Sequence, residues 1–141
     1  MSDRAEIPEF VLMARLRSDV AFYGIVGDRV FHQGIPAGRS VEYPSVVVRL
    51  VNGGVAGKQP DGKSLMQSTI EFAIFDDDFS RCKLTANRLF AAVNGFTSGK
   101  TFPSIQRCRL SESGETDDPI IRQDGLFLYG VSQTYAVQWI R

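Results

Sequence analysis

The stretch "STIEFAIFDDDFSRCKLTANRLFAAVNG", residues 68–95, changes its hydrophobic period partway along. Its first part alternates. Ile70, Phe72 and Ile74 fall on one side, and Thr69, Glu71 and Ala73 on the other, as in a strand with one buried face. From Phe79 the period lengthens. Phe79, Cys82, Ala86, Leu89, Phe90 and Val93 form one stripe at helical spacing, which predicts an amphipathic helix. Asp76, Asp77 and Asp78 stand at the junction, where a carboxylate caps the first N–H groups and faces the positive end of the helix dipole. Asn94-Gly95 ends the helix. A half-buried strand feeding a one-faced helix calls for a two-layer α+β fold.

The flanking segments extend this pattern. "SVVVRLV", residues 45–51, is β-branched and nearly all apolar, as a covered central strand is. It pairs antiparallel with the strand before the helix, across "NGGVAGKQPDGKSLMQ", residues 52–67, a long hairpin tip or mobile loop. "SIQRCRLS", residues 104–111, reads as a strand with Gln106, Cys108 and Leu110 opposed to Ile105, Arg107 and Arg109. The chain closes on "GLFLYGVSQTYAVQWIR", residues 125–141. Phe127, Tyr129, Val131, Tyr135, Val137 and Trp139 alternate there, with Gln133 the only polar member of that face. Strands are usually ~5–6 residues, so a bend is expected at Gly130.

"PEFVLMARLRSDVAFYG", residues 8–24, reads as one helix, with Pro8 in its first turn and Gly24 as its stop. Phe10, Met13, Leu16 or Arg17, Val20 and Tyr23 form its recurring face, and Arg15, Arg17 and Asp19 lie mostly outside. In "IVGDRVFHQGIPAG", residues 25–38, Gly27-Asp28 is a turn with a local Asp28–Arg29 ion pair, feeding the short strand "RVFHQ". Gly34, Pro36 and Gly38 break that strand, and Pro44 biases Tyr43 to extended geometry. The sum is α+β: a mixed, largely antiparallel sheet of four to five strands, with two amphipathic helices packed on one face. Residues 1–141 carry neither an internal repeat nor a linker, and are read as a single domain.

Composition excludes several function classes. Lys plus Arg equals Asp plus Glu, 16 each, so there is no global basic footprint for nucleic acid. No run approaches the ~18 apolar residues of a membrane span, and "MSDRAEIPEF" lacks the apolar core of a secretory signal. Cys82 and Cys108 have no CxxC spacing and read as small buried apolar residues in a reducing compartment.

The chemical inventory is nearly empty. His32 is the only histidine, and a triad or zinc site needs more partners than it has, so it reads as a strand histidine with ordinary hydrogen bonds. There is no HExxH, no GxSxG, no GxGxxG after a strand and no GxxxxGKS/T. Asp76–Asp78 are explained as a cap. We therefore expect no catalytic, cofactor-binding or metal residues. What the chain does offer is two long connections, 52–67 and 112–125, and such loops in a small domain usually contact something. The first contributes Gly53, Gly54, Lys58, Asp61 and Lys63 as candidate interaction residues, the second Glu112, Glu115, Asp117, Asp118 and Arg122. Between Glu112 and Asp124 five acids face one arginine, a local charge near −4 in a chain of zero net charge.

Four pieces then occur in order: "LxxxLRSDVAFYGIVGDRVF", "YPSVVVRLV", "DDDFSRCKLTANRLFAAVNG" and "YGVSQTYAVQWIR". Over roughly residues 10–141 the chain resembles the tail-completion or tail-terminator-like proteins of long-tailed bacteriophages, which also occur in gene transfer agents and prophage tail clusters. The turn-to-strand "VGDRVF" followed by "YPSVVV" is the most specific part. The resemblance implies a non-enzymatic virion protein, made in the host cytoplasm. It implies a ring, commonly hexameric, at the head-proximal end of the tail tube that stops tube polymerisation and offers a docking surface to the head connector. Its partners would be itself, the tube protein and the head-connector or neck protein, with DNA passing transiently and no membrane. Alternatives are a neck protein joining heads to tails, a minor tail component, a small enzyme, or a nucleic-acid module using Arg107 and Arg109.

Overall fold

The computed structural model describes residues 7–35, 42–58, 62, 64–99, 103–115, 120–121 and 127–140. In chain order these form α1 (Pro8–Ser18), α2 (Val20–Val26), β1 (Val30–His32), β2 (Ser45–Lys58), β3 (Ser64–Asp76), α3 (Phe79–Val93), β4 (Ser104–Glu115), β5 (Ile120–Ile121) and β6 (Phe127–Ile140). The sheet order is β1-β2-β3-β6-β4, with β5 paired to the start of β6. Only β1–β2 is parallel; the other pairs are antiparallel. The fold is thus α+β with a mixed, mostly antiparallel sheet.

The helices cover one face of the sheet. Ile70, Phe72 and Ile74 of β3 and Val131, Tyr135 and Val137 of β6 are buried under them, beside Val46 and Val48 of β2. Leu12, Met13 and Leu16 of α1, Phe22 and Val26 of α2, and Cys82, Ala86, Leu89 and Val93 of α3 complete the core. Burial of these apolar side chains, ~1.5–3 kcal/mol for each large one, is the main force holding helices to sheet. Two buried polar groups are matched within that core. Gln133 donates to the Ala86 carbonyl at 2.9 Å and accepts from Tyr135 Oη at 2.6 Å. Trp139 Nε1 donates to Ser68 Oγ at 2.9 Å.

Five local readings are corrected. First, the N-terminal helix is two helices. Asp19 is extended (φ −83°, ψ 111°), and its carboxylate accepts from Phe22 N at 3.0 Å, capping α2. A cap outcompetes helix continuation here, and it resets the inward face to Phe22 and Val26. Val20 is consequently 87% exposed and Tyr23 is exposed as well. Second, α3 buries Cys82, Thr85, Ala86, Leu89, Ala92 and Val93, while Phe79 and Phe90 are exposed. Asp78 is its N-cap, accepting from Arg81 N at 3.0 Å. Third, a bulge between Ile105 and Arg107 shifts the phase of β4, so Ile105 and Cys108 both face the core and Gln106 does not. Fourth, β6 passes Gly130 in unbroken register with β3, Phe75↔Gly130 sitting between Ile74↔Val131 and Asp76↔Tyr129. Fifth, Arg29 forms no ion pair with Asp28 among the described residues. Its Nε donates to the Pro44 carbonyl at 2.9 Å and its Nη2 to the Ile25 carbonyl at 3.0 Å, tying α2 to the start of β2.

Candidate interaction surface

Where they are described, the two connections singled out in the sequence are strand. Residues 52–58 continue β2 and 64–67 begin β3, in register from Asn52↔Thr69 to Lys58↔Ser64, with bulges at Leu50/Asn52 and Val55/Gly57. The glycine content argues for a loop, but β3 is held on its far side by β6 as far as Leu65↔Ile140, and this template carries β2 outward. Likewise 112–115 belong to β4 and 120–121 to β5, both paired with β6.

Of the candidate residues, Gly53, Gly54 and Lys58 therefore sit on β2 and Glu112 and Glu115 on β4, with β3 and β6 between. Asp61, Lys63, Asp117, Asp118 and Arg122 lie outside the described residues. The structure does not bring the two groups together. Lys58 is level with the end of β6, and Glu115 is opposite Val131, so they mark opposite ends of the sheet, roughly 30 Å apart at ~3.3 Å per residue. On the helix-free face one charged row crosses the strands: Arg49, Glu71, Thr134 and Glu112 are aligned, and Arg49 Nη2 contacts Glu71 Oε1 at 2.7 Å.

The hairpin is the most exposed apolar part of the strand layer. Leu50 is level with the buried Ile70 and Tyr135 and still 40% exposed. Val51 is 52% and Val55 67% exposed, out toward the tip of the hairpin.

Ionisable groups are paired structurally. Asp76, fully buried, takes Arg81 Nη2 at 2.7 Å and Arg81 Nε at 2.9 Å, and the Asp78 N–H at 3.1 Å. Burial raises the Asp76 pKa, but the Arg81 hydrogen bonds and charge outweigh it and hold the carboxyl below its ordinary value of 3.8. The same hydrogen bonds push the Arg81 pKa upward. Glu9, in the first turn of α1, is buried and meets His32 Nε2 at 3.2 Å, while its Oε1 has no hydrogen-bond partner among the described residues. The hydrophobic pattern signals neither pairing: Glu9 and His32 are brought together by the packing of α1 beside β1, and Asp76 and Arg81 meet across the turn from β3 into α3. Burial pushes the Cys82 thiol up to about 11 and the Cys108 thiol up to about 12; the two are not bonded to each other. Two depressions among the described residues are shallow. A dent of about 280 Å³ on the helix-free face is lined by Ala73, Phe75, Gly114, Gly130 and Ser132 and their neighbours. A groove of about 340 Å³ between α1 and residues 96–98 holds one ionisable side chain, Arg15, whose Nε already donates to the Ala92 carbonyl at 2.9 Å. No group of three or more His, Cys, Asp or Glu side chains suited to a metal is gathered among the described residues, and no described helix is long and apolar enough to cross a membrane.

No protein-family model matches the chain, and no curated protein matches it. Among solved structures it matches a chain of the "Virion of native gene transfer agent (GTA) particle", with a TM-score of 0.61 over 92% of this chain and 92% of that one, at 13% identity. At that identity the likeness is one of fold.

Proposed function

We propose that this chain is a structural virion protein of a phage-type particle and, within that class, the tail terminator: a subunit of a ring, six-fold by the resemblance, that closes the head-proximal end of the tail tube and presents the head-connector docking surface. The observation that carries this reading is the fold likeness to a gene transfer agent virion chain over 92% of both chains. The sequence pieces from "VGDRVF" to the aromatic last strand point the same way. In this reading the protein is not an enzyme and works through surfaces.

Two surfaces serve the ring. Each subunit of a closed ring needs two different patches, one per neighbour. The β2–β3 hairpin, with Gly53, Gly54 and Lys58, is one and reaches the tube or the adjacent subunit. The acidic 112–125 segment faces the ring mouth, where negative charge repels passing DNA. The test is electron microscopy of particles assembled without this gene product. Overlong headless tubes are the expected result. Tails of normal length beside unjoined full heads move the protein to the neck-joining role, and intact particles overturn the assignment.

A further inference from the structure

The edges of the sheet are protected unequally. The outer edge of β4 is covered from within: Gly95 N donates to the Cys108 carbonyl, Ser98 N to the Ile105 carbonyl, and Leu110 N to Asn94 Oδ1. On the opposite edge β1 covers Val46 to Val48, and the Gln33 N–H on the Val48 carbonyl is the last rung. From Arg49 onward no described strand pairs with that side of β2. An open edge is a template for another strand, and proteins usually guard one with lysine, proline or inward charge. Leu50 to Gly57 carries neither proline nor charge.

Gly53 leaves room for Ser68 Oγ, 3.3 Å from where its Cβ would stand, but Gly54 and Gly57 have no such neighbour. Gly53, Gly54 and Gly57 have ordinary φ, and a Cβ on Gly54 or Gly57 would meet nothing within 4 Å. Glycine weakens a strand and in one marks a bulge or a close approach of another backbone; Gly57 lies at a bulge, and Gly54 does not.

We infer that the open edge of β2, Arg49 to Gly57, pairs antiparallel with the same edge of a second copy of this chain about a two-fold axis at Gly53. The open segment is its own complement. Gly53 is its midpoint. With the bulged residues Val51 and Ala56 left out of the ladder, Leu50 falls opposite the second copy's Val55, Asn52 opposite its Gly54, and Arg49 opposite its Gly57. Leu50, Gly53 and Val55 share the helix-bearing side of the sheet with the buried Val46 and Val48, so apolar meets apolar and the unpaired N–H and C=O groups face each other. No like charges are opposed. Leu50 and Val55, both exposed in the single chain, cover one another. This contact goes beyond the ring reading. A two-fold pairing cannot be repeated around a ring larger than a dimer, so it joins subunits that are off the tube or in separate rings.

The test is sedimentation velocity on the full chain, with L50C/V55C cross-linking. The wild type is expected to dimerise, and V55K to raise the dimer dissociation constant by about tenfold or more, as a charge on an edge does, with an unchanged circular dichroism spectrum. Leu50 and Val55 of one chain lie five residues apart along a strand and cannot bond to each other. Oxidised L50C/V55C should therefore give a covalent dimer, and neither single variant should. A wild type that stays monomeric at 100-fold the working concentration overturns the pairing, as does a dimer that ignores V55K. A larger closed ring unaffected by V55K overturns the pairing and leaves the ring reading standing. A V55K-sensitive dimer whose loss from particles leaves tail length normal does the reverse.

Discussion

Replacing Arg81 by Gln should change both the size and the pH dependence of stability. In the wild type Asp76 is buried with two Arg81 contacts, at 2.7 and 2.9 Å. Breaking a fully buried pair by removing one partner costs ~3–5 kcal/mol. Arg81 is 41% exposed, so water offsets part of this, and ~2–3 kcal/mol at pH 7 is expected. For a chain of this size that is a Tm lower by roughly 6–10 °C. The sign of the pH dependence follows from the Asp76 pKa. It is depressed in the folded protein, so its stabilisation is present above the unfolded value of 3.8 and is lost as pH falls through the folded value. In R81Q the burial that raises the pKa is left without its main opponent. The folded pKa then exceeds the unfolded one, and this site destabilises more as pH rises through it. The difference between wild type and R81Q should therefore widen from pH 4 to pH 7. Urea unfolding followed by Trp139 fluorescence, at one protein concentration and several pH values, measures it. A difference below ~0.5 kcal/mol at pH 7, or one that narrows with rising pH, refutes the reasoning.

Further consequences can be checked alongside. Q133A strips the Ala86 carbonyl and Tyr135 hydroxyl of their partner inside the core and should cost ~2–4 kcal/mol in the same unfolding assay; Q133E should not restore it at pH 7. Cys82 and Cys108, their thiols pushed up to about 11 and about 12 by burial, should resist a maleimide at pH 8 in the native protein and react on unfolding; labelling at the rate of a free thiol would contradict their placement. Deleting residues 54–63 should leave a folded core, since β3 keeps its β6 partner, yet abolish tail capping in an in vitro assembly assay. The charge reading of the acidic segment expects D117N/D118N to slow DNA ejection while particles assemble normally, and unchanged ejection kinetics would count against it.

The residues 68–95 were legible almost in full, because both of their patterns are local. Alternation put Ile70, Phe72 and Ile74 on the core face, and Asp78 capped α3 as its position before the apolar stripe demanded. The candidate surface was legible only as two long polar connections. That the described parts of both are strand, and reach opposite ends of the sheet, could not be read from them, since their glycines and acids carry no strand signal. They are drawn out by pairing with β3 and β6.

By itself, the sequence determined the layer architecture and the inward residues of β3 and β6, because burial on one face of a helix or strand is written as a period. Tertiary structure alone decided the bulge that turns Ile105 and Cys108 inward together and the Glu9–His32 pair; the helix break at Asp19 and the Asp76–Arg81 pair are short-range polar contacts that the hydrophobic period does not encode. Tertiary structure also decided how the two edges are covered: residues 94–98 fold onto β4, whereas β1 stops at His32 and no described strand pairs with β2 beyond it. The bulge, the Glu9–His32 pair and the covering of the edges depend on which distant backbone or charge lies alongside, and a one-dimensional period carries no record of that neighbour.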